Sequence, residues 1–224
     1  MRPPTSCWAS DVEHPLRTLL WDAARGRPPE PDGSIDVLAP PDGAHAALVS
    51  FPAHLVVAAP LDAKRIEEWV APGDFASWTS PEFVTWLAGA VDARVGSQDV
   101  VLAAPGERRS PSIALRERTG PVDHKRVRRA TRHRIDARVW TDERERAVLV
   151  VGRGLTGRYE LAFEVGPDWR GHGLGRAIVA TARTLVPEGE PLFAQVDPAN
   201  AASLRALLAA GFLPIGAEIL FFAR

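Results

Sequence analysis

The sequence predicts an α/β fold, and three observations carry that reading. Short apolar runs bounded by Pro or Gly alternate with stretches of helical period along most of the chain. A strand-like run, Tyr159–Val165, leads into the glycine-rich turn Arg170-Gly171-His172-Gly173-Leu174-Gly175, and a helical run follows it. The order helix, three strands, helix, strand occurs in the first half and recurs in the second.

In the first half, residues 13–25 place Leu16, Leu19, Leu20 and Ala23 on one helical stripe, ended by the Pro/Gly loop 26–33. Strands are expected at Ser34–Ala39, Ala46–Phe51 and His54–Ala59. Helices follow at Asp62–Val70 and at Ser80–Val95, the latter opened by Ser80 and Pro81. A strand at Asp99–Ala104 closes the half. The second half reads His124–Thr131 (helix), Arg134–Trp140, Ala147–Val151 and Tyr159–Val165 (strands), Gly173–Leu185 (helix) and Pro191–Val196 (strand). Two readings of this recurrence stand: a degenerate copy of the C-terminal half, or a coincidence of generic α/β patterns. The expected division is 1–105 as an N-terminal α/β domain, 106–121 as a linker and 122–224 as the C-terminal domain.

Composition excludes several classes. A chain of 224 residues with 46% hydrophobic residues can bury a real core, and its net charge of −1 gives no field that favours a polyanion. The single cysteine, Cys7, rules out an internal disulfide and a multi-cysteine zinc site, and reads as a bystander thiol. The histidines show no metal-ligand spacing, so no metal is expected. No apolar run reaches the roughly 18–20 residues of a membrane span, and the N-terminus lacks a signal-peptide core, so a cytoplasmic protein without a membrane partner is expected.

Basic residues gather at the junction, from Arg108 and Arg109 through Lys125, Arg126, Arg128, Arg129, Arg132, Arg134 and Arg138. They read as a solvated face, as support for ligand phosphates or an acidic substrate, or as a nucleic-acid surface. The last ranks lowest, because aromatics are not interleaved and Glu117, Asp123 and Asp136 interrupt the run.

The glycine-rich turn joins a strand to a helix. A helix N-terminus leaves its first N–H groups unpaired and partly positive, and glycines let a phosphate approach the backbone. Such a turn is also often only a turn. It contains no Gly-x-x-x-x-Gly-Lys-[Ser/Thr], and the dinucleotide fingerprint would need its first glycine where Arg170 stands.

The flanks are more specific. Val165-Gly166-Pro167-Asp168-Trp169-Arg170-Gly171-His172-Gly173-Leu174-Gly175, a helix, the strand Pro191–Val196, then Asn200 and Gly211-Phe212 resemble the GNAT superfamily of N-acetyltransferases. The family's acyl-CoA motif is a hydrophobic strand, Val-x-Pro, then Arg-x-x-Gly-x-Gly/Ala opening a helix. Its second motif is an Asn opening a later helix that ends in Gly-Phe. The resemblance covers residues 148–224 and implies a mixed, mostly antiparallel sheet flanked by helices, with an N-terminal half readable as a second, degenerate unit of that kind.

It also implies an activity: transfer of an acetyl group from acetyl-CoA to a primary amine, by direct attack. The cosubstrate's pyrophosphate would sit on the turn formed by Arg170, Gly171, His172, Gly173, Leu174, Gly175 and Arg176. Its pantetheine would pair with Phe163 and Val165, and Asn200 and Ser203 would contact it. Asn200 is equally a good helix N-cap. A carboxylate must take the amine's proton, and Glu160 and Glu164 are the candidates. Four apart on a strand, they share a face, where like charge would raise a pKa. Both also read as Arg-paired structural carboxylates.

One departure stands out: the family's thiolate-protonating Tyr position is Leu207 here. A catalytically silent acyl-CoA-binding or regulatory protein is therefore the alternative. The acceptor is expected to be a small-molecule or peptide amine, with no nucleic-acid partner, and the chain a monomer or homodimer.

Overall fold

The computed structural model describes residues 13–224, so Cys7 lies outside the described residues. Helix α1 spans Pro15–Ala24; Pro15 opens it, the His14 ring accepts the Leu16 N–H, and Leu16, Leu20, Trp21 and Ala23 are buried. Strands β1 (Ile35–Leu38), β2 (Ala46–Phe51) and β3 (His54–Ala58) follow as the apolar runs predict. Helix α2 is a short Ala63–Glu67, and α3 spans Pro81–Ala90 with the Ser80 hydroxyl accepting the Phe83 N–H at 3.2 Å.

The expected extension of α3 to Val95 does not form. Asp92 takes a left-handed φ of 47°, and the chain turns directly into β4, a long strand over Ala93–Pro105. The expected linker contains an element of its own, β5 (Leu115–Arg118). Then come α4 (Lys125–Thr131), β6 (Ile135–Asp142), β7 (Ala147–Arg153), β8 (Tyr159–Val165), α5 (Leu174–Ala182), β9 (Pro191–Val196) and α6 (Ala201–Ala209). The periodicity assigns nothing to 213–223, where β10 (Leu213–Ala223) forms.

All ten strands join one mixed sheet in the order β1-β3-β2-β10-β4-β9-β8-β7-β6-β5. Only β1 with β3 and β8 with β9 pair in parallel; the other pairs are antiparallel, as the resemblance implied. Alternation along the strands separates two faces. On one face, α1 covers Val49, Val56, Val101 and Phe193, and α4 covers Val148 and Val150. On the other, α5 and α6 cover Leu149, Leu161, Leu192 and Ala194, while α2 and α3 cover Leu48, Val57, Ile219 and Phe221.

The degenerate-copy reading of the first half is corrected by strand pairing. In the second half β6, β7 and β8 are antiparallel neighbours in chain order, whereas β1 lies beside β3, in parallel, and β2 turns its other edge to β10. Periodicity identifies strands but not their partners, which are set by the edges left open in the assembled sheet.

The most consequential pairing crosses the predicted domain division. β4, from the first half, lies between β9 and β10 of the second, paired along Val100–Pro105 with β9 and along most of its length with β10. Without β4, these two strands would present unpaired edges to water. A fragment of residues 122–224 is therefore expected to show no cooperative urea transition by circular dichroism, in contrast to the whole chain. A fragment that unfolds cooperatively would show that β4 is dispensable.

Candidate active site

The neighbouring strands β8 and β9 leave each other within the sheet. Their parallel register holds at Tyr159↔Leu192 and Glu160↔Phe193, and no residue beyond is paired. A cleft of about 540 Å³ opens there. Leu161 and Phe163 of β8, Ala194 and Val196 of β9, and Asn200, Ser203 and Leu207 around α6 line one end. The other end is lined by Arg94 and Asp99 of β4, Arg126, Arg129, Arg132, His133 and Arg134 on and after α4, and Glu218, Leu220 and Phe222 of β10.

The glycine turn follows β8. Gly171 and Gly173 have φ of 79° and 80°, a region other residues enter only with strain, and an added Cβ on either would point into open space. Gly173 caps α5, and its carbonyl accepts the Ala177 N–H at 3.0 Å. The N–H groups of Leu174, Gly175 and Arg176 therefore lack partners inside the helix. Arg170 ties the turn to the strand, its Nε donating to the Val165 carbonyl at 3.1 Å, while the His172 ring lies 2.8 Å from the Arg170 carbonyl. At Gly175, an added Cβ would sit 3.6–3.7 Å from Phe163, Val165 and Ala206, so α5 packs closely on β8 and α6.

Of the residues singled out from sequence, Phe163, Glu160, Asn200 and Ser203 line the cleft; Arg170 to Arg176, Glu164 and Val165 do not. The Val165 carbonyl is already used by Arg170. Asn200 acts as the expected cap, its Oδ1 accepting the Ser203 N–H at 3.1 Å.

The expected like-charge pair of Glu160 and Glu164 is corrected by their partners. Glu160 is 5% exposed, and its Oε1 accepts Arg158 Nε at 2.8 Å and the Leu155 N–H at 3.3 Å. Its Oε2 lies 3.0 Å from Arg134 Nη2, which also donates to Gln195 at 3.1 Å. Burial alone would push this carboxyl up, but the guanidiniums of Arg158 and Arg134 outweigh it and hold the pKa below the usual range. Glu164 pairs separately with Arg126 at 3.5 Å. Glu160 is thus favoured in its ionised form, poorly suited to accept a proton. Its carboxylate also explains Gly154, where a Cβ would lie 2.2–2.4 Å from the carboxyl atoms.

Arg158 is wholly buried and reaches from Glu160 to Glu218, donating from Nη2 to Glu218 Oε1 at 2.7 Å. Glu218 is 2% exposed, and its Oε2 has no hydrogen-bond partner among the described residues. With one guanidinium instead of two, burial wins, and its pKa is raised. Asp99 stands directly opposite Glu218 in the β4–β10 register, on the same face, and is also raised by burial, against a hydrogen bond from the Ser97 hydroxyl. His133 packs against Phe222 with ring centroids 4.3 Å apart and planes tilted by 33°; burial, reinforced by Arg94, Arg132 and Arg134, lowers its pKa.

Sequence reasoning missed Asp99, His133, Arg158 and Glu218. The available signal was a charge inside an apolar strand: Asp99 before Val100-Val101-Leu102, and Glu218 before Ile219-Leu220-Phe221-Phe222. Among the described residues, no group of three His, Cys, Asp or Glu could hold a metal, and no helix is long and apolar enough to cross a membrane.

No protein family and no curated protein sequence matches this chain. Among solved structures it is similar to a GCN5-related N-acetyltransferase from Kribbella flavida, at 13% identity and a TM-score of 0.37, over 62% of this chain and 63% of that one. Another is a GCN5-related N-acetyltransferase from Sphaerobacter thermophilus, at 13% identity and a TM-score of 0.39, over 64% and 56%. A third is a GNAT-family acetyltransferase from Colwellia psychrerythraea, at 13% identity and a TM-score of 0.37, over 64% and 63%. The matched region spans less than two thirds of each of those chains.

Removing Glu160 leaves Arg158 and Arg134 underpaired in a buried site. Glu160→Gln is expected to lower the unfolding free energy by about 3–5 kcal/mol at neutral pH. The carboxylate's contribution is complete above its unfolded pKa of about 4.3, and is lost as pH falls through the lower folded value. The gap between wild type and variant in urea unfolding should therefore narrow below about pH 4. A gap independent of pH would assign the loss to packing.

Proposed function

We propose that this chain is a GNAT-type N-acyltransferase that moves an acetyl group from acetyl-CoA to a primary amine by direct attack. One observation carries the reading: two parallel strands that separate immediately after a two-residue pairing, beside a left-handed glycine turn that opens a helix. The first feature leaves a backbone edge on β8 for an extended amide-bearing chain, as pantetheine is. The second leaves three N–H groups and a helix dipole for a pyrophosphate. The two lie at a spacing set by one strand, since the turn follows the strand whose Phe163 lines the cleft.

In this reading Gly173 and the N–H groups of Leu174, Gly175 and Arg176 hold the pyrophosphate, and Arg170 fixes the turn on β8. Leu161 and Phe163 cover the thioester end and exclude water. A free N–H on the β8 edge polarises the thioester carbonyl and stabilises the oxyanion formed on attack. Glu160 keeps Arg134 and Arg158 in place at the floor.

The alternative is a catalytically silent acyl-CoA-binding protein. It is favoured by Leu207, which is fully buried at the position where the family carries its thiolate-protonating Tyr. Both readings require CoA binding; only the first requires turnover.

Titration calorimetry with acetyl-CoA should give micromolar affinity. In Gly173→Glu, which adds both backbone strain and a negative charge at the turn, the affinity should fall roughly 100-fold, about 2.7 kcal/mol. Free-thiol release that depends on an added amine would support the enzyme. Binding with no such release across an amine panel would support the silent protein, and no binding by the wild type would overturn both.

A further inference from the structure

The acceptor end of the cleft is charged in two separate zones. Its floor holds Glu218 and Asp99, side by side on adjacent strands, with the Glu218 Oε2 buried and lacking a partner among the described residues. Residues so paired have Cβ atoms about 4.5–5.5 Å apart, close enough for one ammonium to contact both carboxylates. A carboxylate oxygen buried without a donor is costly, and a ligand N–H is the group it lacks. Its mouth is lined by arginines, of which Arg94, Arg129 and Arg132 are exposed. Arg126 and Arg134 are committed to Glu164 and Glu160. Arg94, Arg129 and Arg132 form no ion pair among the described residues, although each lines the same cleft. Arg94 is instead held over the Phe222 ring, 5.0 Å from its centroid, with the His133 ring also packed against Phe222. A plain amine would use the floor and leave this mouth unfilled.

We propose that the acceptor is an amine that also bears an anionic group, its ammonium bound by Glu218 and Asp99 and its anion by Arg94, Arg129 and Arg132. The class includes amino acids and aminoalkyl phosphates, and the inference rests on the acyl-transfer reading above. Glu218 is then a catalytic residue. Its Oε2 takes one proton from the ammonium, and the freed lone pair forms a C–N bond with the thioester carbonyl carbon. The C–S bond breaks, the departing thiolate takes the second proton lost by nitrogen, and Glu218 releases its proton to water. The products are the N-acetyl amine, free CoA and one proton. Burial, which raises the Glu218 pKa, makes it a better base than Glu160.

The test compares matched acceptors with acetyl-CoA: each standard amino acid against the amine lacking its carboxylate, and phosphoethanolamine against ethanolamine. Within the pairs that react, the anionic member should show kcat/KM at least about tenfold higher, a difference of about 1.4 kcal/mol. In Arg129→Glu/Arg132→Glu, two exposed positions whose change leaves the core intact, that ratio should fall towards one. Glu218→Gln should lose transfer to both members while still binding acetyl-CoA by calorimetry; where that variant does not fold, the arginine variant decides. Equal or better use of the plain amines would overturn the proposal, as would no transfer to any member by a protein that binds acetyl-CoA. Failure to bind acetyl-CoA would instead overturn the function on which it rests.

Discussion

The wholly buried guanidinium of Arg158 is the constraint on which the site depends. It stands one residue before β8, donates to Glu160 on that strand and to Glu218 on β10, and lies 5.2 Å from the Phe193 ring centroid on β9. A charge removed from water in this way is tolerable only when opposite charge and hydrogen bonds compensate it. Here two carboxylates do so, and they come from opposite sides of β9 and β4. The side chain therefore pins the strands together at the level where β8 and β9 stop pairing. It also settles which carboxylate is which: Glu160, with a second arginine, stays ionised, while Glu218, with one guanidinium and Asp99 opposite, is pushed towards neutrality.

That asymmetry gives the cleft its chemical polarity. One end is apolar and edged by the part of β8 that leaves β9. The other has an acidic floor and a basic mouth. A chain carrying a net charge of −1 shows no such pattern in its sum, because the arginines of α4 and the carboxylates of β4 and β10 cancel in the count but not in space.

The N-terminal half contributes more than a cover for a sheet edge. By inserting β4 between β9 and β10 it supplies Arg94 and Asp99 to the cleft and completes the pairing of the last strand. Cleft and folding are thus coupled. The segment that carries Arg94 and Asp99 also holds the C-terminal strands in register.

Much of this was legible in the sequence by itself. Strand β8, the left-handed glycines of the turn, the helix after it and the Asn200 cap follow from local rules: period, φ preference and capping chemistry act between residues a few positions apart. The helix–strand alternation is legible the same way, whereas the mixed sheet followed only from the resemblance of the turn and its flanks to a known family. What local rules could not supply was partnership. The pairing of β1 with β3, the insertion of β4, and the meeting of Arg158 with Glu218, 60 residues away, depend on which strand edges the assembled sheet leaves open. Glu160 and Glu164 looked equivalent because the four-residue spacing places them on one face, yet Arg134 and Arg158 reach only the first. The sequence determined where a glycine-rich turn opens a helix; the tertiary structure decided which carboxylate is held ionised, because a pKa is set by neighbours in space.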